Sequence, residues 1–191
     1  GKLHTIPTRD VVMLSPGASG EAMRADGQDH LLAPWRLRLR NGDVLYGKPG
    51  GFSGQSMLFS TPELGSVTVP LKMVLAMGAS KDKAAAVETG SDQDTVRLTN
   101  GDQVSGILIS VDADKLQIGV GPDNKPTRVD LSAVEQVVFG GVSPARGVPP
   151  LSVRTTFVSG TVLTTALNKP EAFTWGTGGV GEITLADPGG H

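Results

Sequence analysis

Residues 94–139 read DTVRLTNGDQVSGILISVDADKLQIGVGPDNKPTRVDLSAVEQVVF, and their pattern decides the fold class. Val96 and Leu98 alternate with Thr95, Arg97 and Thr99, the period of a strand with one buried face. Asn100-Gly101 supplies two residues that tolerate positive φ, which a tight hairpin turn requires. Val104, Ile107, Ile109 and Val111 carry the apolar run onward, and Gly106 interrupts it where a strand must bend sharply or admit another backbone. Asp112-Ala113-Asp114 reads as the next turn and Leu116-Ile118-Val120 as a third strand, after which Gly121 to Pro126 is too polar to stay in a ladder. Val129 to Leu131 and Val134 to Phe139, joined at Ser132-Ala133, complete five short strands. A small, nearly closed antiparallel barrel needs that set, since closure removes exposed edges.

The pattern recurs on both sides of this stretch. Leu37, Leu39, Asn41-Gly42-Asp43 and Gly47 precede Val96, Leu98, Asn100-Gly101-Asp102 and Gly106 by 59 residues throughout. From the bending glycine to the tail of the copy there are 23 residues in the first case, Gly47 to Pro70, and 24 in the second, Gly106 to Asp130. A degenerate third copy follows in Val153, Phe157, Gly160, Val162, Leu163, Phe173, Trp175 and Ile183-Thr184-Leu185. With Gly160 taken as its bending glycine, the distance to Thr184 is again 24, and the copy lacks both the Asn-Gly turn and a last strand. At the other end, Thr5-Ile6-Pro7 followed by Val11-Val12 has the form of a tail without its head.

The expected organisation is a repeat tail at 1–14, a linker at 15–34, a first copy at 35–79, a linker at 80–93, a second copy at 94–140, a linker at 141–150 and the degenerate copy at 151–191. The tail is expected to complete the third copy, with Val11 to Leu14 pairing near Ile183 to Leu185. Short helical turns are expected around Glu21 to Arg24 and Ala84 to Val87.

The central stretch resembles the Sm-like fold, which includes the bacterial Sm-like RNA chaperones. The matching pattern is V-x-L-x-N-G-x-x-V-x-G-x-L at Val96 to Leu108, then Asp112, then the V-E-Q-V-V strand at Val134 to Val138. The resemblance implies tandem small bent antiparallel barrels, two good copies plus the degenerate one, able to associate through strand edges. In the RNA-binding members a basic and aromatic step before the last strand contacts nucleotides; Asp130-Leu131-Ser132 stands there instead. The resemblance therefore implies the fold without that contact.

Composition agrees with an all-β class: 26 glycines, 13 prolines and few aromatics among 191 residues. With 17 basic against 19 acidic side chains there is no whole-chain field to draw in nucleic acid or a membrane surface, and any such binding is local. No cysteine is present, which removes disulfides, thiolate metal sites and cysteine nucleophiles. No run has the length of a membrane-spanning helix. A sequence rich in Gly, Thr, Ser and Val, poor in Lys and starting at Gly1, is expected of an exported protein, periplasmic or secreted, with the cytoplasm as the alternative.

Candidate binding residues are Arg36, Arg38 and Arg40, alternating with Trp35, Leu37 and Leu39 so that three guanidinium groups share one strand face. Such a row grips phosphate, sulfate or carboxylate through paired hydrogen bonds, and the plainer account is a solvated face that discourages edge pairing. Tyr46 and Trp175 are candidates for stacking on sugar rings, whereas Phe52 and Phe59 are expected in the core. Asp92 with Asp94, and Asp112 with Asp114, have too few ligands for calcium and read as turn residues. His4, His30 and His191 have no metal-ligand spacing, and Gly176 to Gly181 lacks the strand-then-helix setting of a nucleotide loop. No nucleophile has a base beside it in the sequence, so no catalytic residue, metal or cofactor is expected. The expected function is a non-enzymatic interaction or scaffold module for a protein or extended polymer, with carbohydrate binding and nucleic-acid binding as alternatives and a homo-oligomer through strand edges as a further expectation.

Overall fold

The computed structural model describes residues 3–7, 11–16, 34–53, 55–79, 91–112, 114–141, 152–166 and 180–184. Among these there is no α-helix, and nearly every segment is a strand. In chain order the strands are β1 (Leu3–Pro7), β2 (Val11–Pro16), β3 (Trp35–Leu39), β4 (Val44–Ser53), β5 (Ser56–Thr61), β6 (Gly65–Pro70) and β7 (Val74–Ala79). They continue with β8 (Asp94–Leu98), β9 (Gln103–Val111), β10 (Lys115–Val120), β11 (Lys125–Asp130), β12 (Val134–Val138), β13 (Ser152–Phe157), β14 (Val162–Ala166) and β15 (Val180–Thr184). The expected helical turns at 21–24 and 84–87 lie outside the described residues.

One curled antiparallel sheet carries thirteen of these strands in the order β11-β10-β9-β8-β12-β7-β3-β4-β14-β13-β2, with β5 branching from β4 and β6 from β5. The remaining two, β1 and β15, pair with each other. Residues 35–79 and 94–139 contribute strands in the same relative order, β7-β3-β4-β5-β6 and β12-β8-β9-β10-β11, within this one curled sheet.

The two stretches also match in register. Leu37 faces Leu45 and Val96 faces Val104; Arg36 faces Tyr46 and Thr95 faces Ser105. At the first hairpin, Leu39 and Asp43 are joined N–H to O at 2.9 Å, and Leu98 and Asp102 at 2.8 Å. In each turn the glycine takes the left-handed conformation, Gly42 at φ 87° and Gly101 at φ 91°, which only glycine adopts without strain. The bends need glycine for another reason. A Cβ on Gly47 would overlap the carbonyl oxygen of Ser60, and one on Gly106 would overlap that of Gly119, so any side chain would separate the crossing strands. Single 3₁₀ turns at Leu71–Met73 and Leu131–Ala133 then redirect the chain into β7 and β12. The one-residue difference in length falls in the turns Pro62-Glu63-Leu64 and Gly121-Pro122-Asp123-Asn124, of three and four residues.

β7 and β12 join the two stretches edge to edge, with Met77 opposite Val137. A continuous inner row crosses the junction: Leu45, Leu37, Met77, Val137, Val96 and Val104. Leu37, Met77, Val96 and Val137 are fully buried, and the core they belong to takes in Phe59, Val111, Leu116 and Ile118 from both sides. Trp35 and Phe59 are core residues, as the alternation of β3 and β5 dictates.

Three expectations need correction. Lys125 and Pro126 lie in β11 rather than in a loop. β11 ends the sheet order, so the missing N–H of Pro126 breaks no ladder. Val11 to Leu14 pair with β13, Leu14 opposite Thr155, and the strand that meets residues 180–184 is β1. Gly160 is not a bending glycine. It sits in the turn after β13 with φ 85°, and its N–H reaches the Phe157 carbonyl at 2.9 Å as Gly42 reaches Leu39 and Gly101 reaches Leu98, both at 3.0 Å. Residues 39, 98 and 157 are thus spaced evenly at 59, and the third hairpin has kept its turn with Ser159-Gly160 in place of Asn-Gly. Thr165 occupies the position of Gly47 and Gly106.

Candidate interaction surface

Directly opposed residues of antiparallel strands share a face, so register defines the side of the sheet away from the core. Across β4, β3, β7, β12, β8 and β9 one outer row runs Tyr46, Arg36, Gly78, Gln136, Arg97 and Gln103. The neighbouring row runs Val44, Arg38, Ala76, Val138, Thr95 and Ser105. In the middle of this face β7 offers only Gly78 and Ala76 and β12 offers Gln136 and Val138, and of these Ala76 and Gln136 are buried, 2 % and 7 % exposed. Arginines stand on both sides of it.

The structure thus places Arg36, Arg38 and Tyr46 together, each partly exposed. Arg40 lies past a register irregularity between Arg38 and Leu39, in the turn, where its N–H donates to the Met73 carbonyl at 2.9 Å. It is therefore separate from the row. Trp175 lies outside the described residues. Arg97 joins the face from β8 and was missed in sequence, although it holds the position of Arg38 moved on by 59 residues. Burial of the Arg38 guanidinium lowers its pKa, and the neighbouring Arg36 lowers it further. Two like charges held this close favour a bridging anion.

A second polar cluster lies where β14 meets β4, and the sequence reading did not foresee it. Val44 pairs with Val162, its own counterpart in the third hairpin. Around this pair the bonding is reciprocal: the Thr164 N–H donates to Asp43 Oδ2 at 2.9 Å, and the Tyr46 N–H donates to Thr161 Oγ1 at 3.1 Å. Thr161 and Thr164 are the counterparts of Asp43 and Tyr46. Glu63 Oε1 accepts the Ser159 N–H at 3.2 Å. Asp43 is 3 % exposed, and Asn41 Nδ2 holds the same Oδ2 at 2.8 Å. Burial raises the Asp43 carboxyl above its ordinary pKa, outweighing the hydrogen bonds from Thr164 and Asn41 and the Arg154 charge, all of which lower it.

Asp94 is structural: its Oδ2 accepts the Leu108 N–H at 2.6 Å and its Oδ1 the Gly140 N–H at 2.8 Å, tying the start of β8 to β9 and to the end of β12. Among the described residues no cluster of three or more histidines and carboxylates could hold a metal ion, and no helix is long and apolar enough to cross a membrane. Compared with known proteins, the chain matches no family model, no curated protein and no solved structure.

Proposed function

We propose that this chain is a non-enzymatic interaction or scaffold module of an exported protein, built from consecutive Sm-like small barrels, and that its outer face binds an extended acidic chain, polysaccharide or polypeptide. Support for the repeated architecture comes from the 59-residue spacing of the turn hydrogen bonds at Leu39, Leu98 and Phe157 and from the paired bends at Gly47 and Gly106. The matching register of Leu14 with Thr155, Met77 with Leu37 and Val137 with Val96 supports the N-terminal tail as the last strand of the third copy.

The binding reading rests on one observation: Arg36, Arg38 and Arg97 flank a strip made by Gly78 and Ala76 of β7 with Gln136 and Val138 of β12 on a single sheet face, with Tyr46 beside Arg36. An extended chain lying along that strip meets guanidinium groups on both sides, each able to form two bonds to a carboxylate or sulfate. Titration with heparin as the probe, over a salt series, tests this. The expected result is saturable, salt-sensitive binding that weakens about tenfold or more in the Arg36→Ala/Arg38→Ala variant, one tenfold step being about 1.4 kcal/mol. Binding of an uncharged glycan that survives those substitutions would favour the carbohydrate reading through Tyr46 and Trp175 instead.

A further inference from the structure

The contact between β4 and β14 has an open counterpart. By the shared 59-residue offset, Asp102 in the turn before β9 and Gln103 and Ser105 on β9 correspond to Asp43 before β4 and Val44 and Tyr46 on β4. Asp123 lies in the turn that takes the place of the Glu63 turn, between the third and fourth strands of its stretch. The local geometry is already set: Asn100 Nδ2 holds Asp102 Oδ2 at 2.7 Å, as Asn41 holds Asp43, and the Asp102 N–H donates to Asn100 Oδ1 at 3.0 Å. On β4 the far edge at Val44 is covered by β14. On β9 the partner strand β10 pairs only with Ile107 to Val111, and Asp102, Gln103, Ser105 and Asp123 are exposed among the described residues.

We infer that this β9 edge is a docking site for a β-hairpin of another polypeptide, one with the chemistry of residues 152–166: a turn hydroxyl at the place of Thr161, a backbone N–H at the place of Thr164 and an arginine at the place of Arg154. In the occupied contact one side presents carboxylates, Asp43 and Glu63, while the other presents a hydroxyl, two N–H groups and a guanidinium whose charge acts on Asp43. The β9 edge repeats the carboxylate side, with Asp102 and Asp123, and supplies the Ser105 N–H for an incoming hydroxyl. A second copy of this edge is a poor occupant, because it sets like carboxylates against one another without a guanidinium. Ile107 and Ile109, 54 % and 44 % exposed, continue the solvent side of β9 and add apolar area beside the polar contacts. An extended edge read by main-chain bonds and fixed by a few side chains is a known mode of peptide recognition.

The inference uses the residue correspondence behind the proposed repeat but not the arginine face, and the two fail separately. The probe is a synthetic hairpin of residues 152–166, cyclised across the Ser152 and Ala166 ends that face each other in the ladder, and it is titrated into the full chain. Saturable binding is expected, weakened about tenfold by Asp102→Ala, a loss of about 1.4 kcal/mol. Ser105→Pro, which removes one outward donor, should have a similar effect, and so should Thr161→Val in the peptide. The Arg36→Ala/Arg38→Ala variant should bind the peptide unchanged, just as Asp102→Ala should keep heparin binding. Circular dichroism of each variant confirms that it folds. Absence of binding, binding indifferent to Asp102→Ala and Ser105→Pro, or exchange of the peptide into the β4 contact, seen as loss on Asp43→Ala alone, would each overturn the inference. So would a concentration-dependent dimer abolished by Asp102→Ala, which would make this edge a contact between copies.

Discussion

Met77 on β7 stands opposite Val137 on β12, and the two hold matching positions in residues 35–79 and 94–139, each fully buried where these stretches share a ladder. Each strand thereby covers the inner edge of its twin, and the core runs through the join without a break. Truncating Met77 to Ala is expected to cost about 2–5 kcal/mol, as buried large-to-small changes do. Val137→Ala should cost less, because fewer atoms are removed. Combined, the two should be non-additive, with a coupling of about 0.5 kcal/mol or more, as expected of residues in contact. Urea denaturation of the two single variants and the double variant measures this.

At Gly106 the bend of β9 leaves no space for a side chain, since a Cβ would overlap the Gly119 carbonyl. Gly106→Val is expected to destabilise by about 3 kcal/mol or more, the upper end of overpacking costs. Gly101→Ala meets nothing within 4 Å but keeps a left-handed φ of 91°, so its cost should be about 1 kcal/mol, that of local backbone strain. The order of the two, read from thermal melts, separates close approach from conformation as the reason for glycine.

The Asp43 carboxyl gives a signed pH dependence. Its folded pKa is raised above the ordinary value of 3.8, so the folded state holds its proton more tightly than the unfolded chain. Whatever this contributes is fully present below that ordinary value and is lost as pH rises through the raised pKa. The difference in stability between the wild type and Asp43→Asn should therefore shift against the wild type as pH rises from about 4 towards neutrality. Chemical denaturation of the two proteins at several pH values measures this.

Deleting residues 1–16 removes β2 and leaves β13 without its neighbour from Val153 to Phe157. The midpoint of thermal unfolding is expected to fall by several degrees, about 4 °C or more for each kcal/mol lost in a small domain and somewhat less in a larger one. Unchanged stability would mean that the N-terminal strands contribute nothing to the third hairpin.

Much of this fold was legible in the sequence, and the parts that were not have physical reasons. Asn-Gly turns and a glycine five residues on mark two hairpins because the turn needs positive φ and the bend needs an absent Cβ, constraints that few residues meet. The third turn escaped because hydroxyls there do what amide and carboxylate do elsewhere: Ser159 Oγ bonds Thr161 Oγ1 at 2.9 Å, as Asn41 bonds Asp43. Counting from the wrong glycine then hid the even spacing. Lys125 and Pro126 looked like loop because polarity says nothing of edge position. The arginine alternation of β3 was readable by period two, but Arg97 joins it only through the β7–β12 junction, a pairing between distant segments that local pattern does not encode. The burial of Asp43 is of the same kind, since Asp102 ends the same Asn-Gly-Asp turn and is exposed. What differs is the strand that covers one and not the other.

Three pairings between distant segments carry the architecture: counterpart residues meeting where β7 joins β12 and where β4 joins β14, and β2 lying beside β13. Cross-strand nuclear Overhauser effects between backbone protons of Met77 and Val137, of Val44 and Val162, and of Leu14 and Thr155 test them directly in isotope-labelled protein. All three contacts should be observed, in those registers. Their absence, or pairing of these strands in any other register, would contradict that architecture.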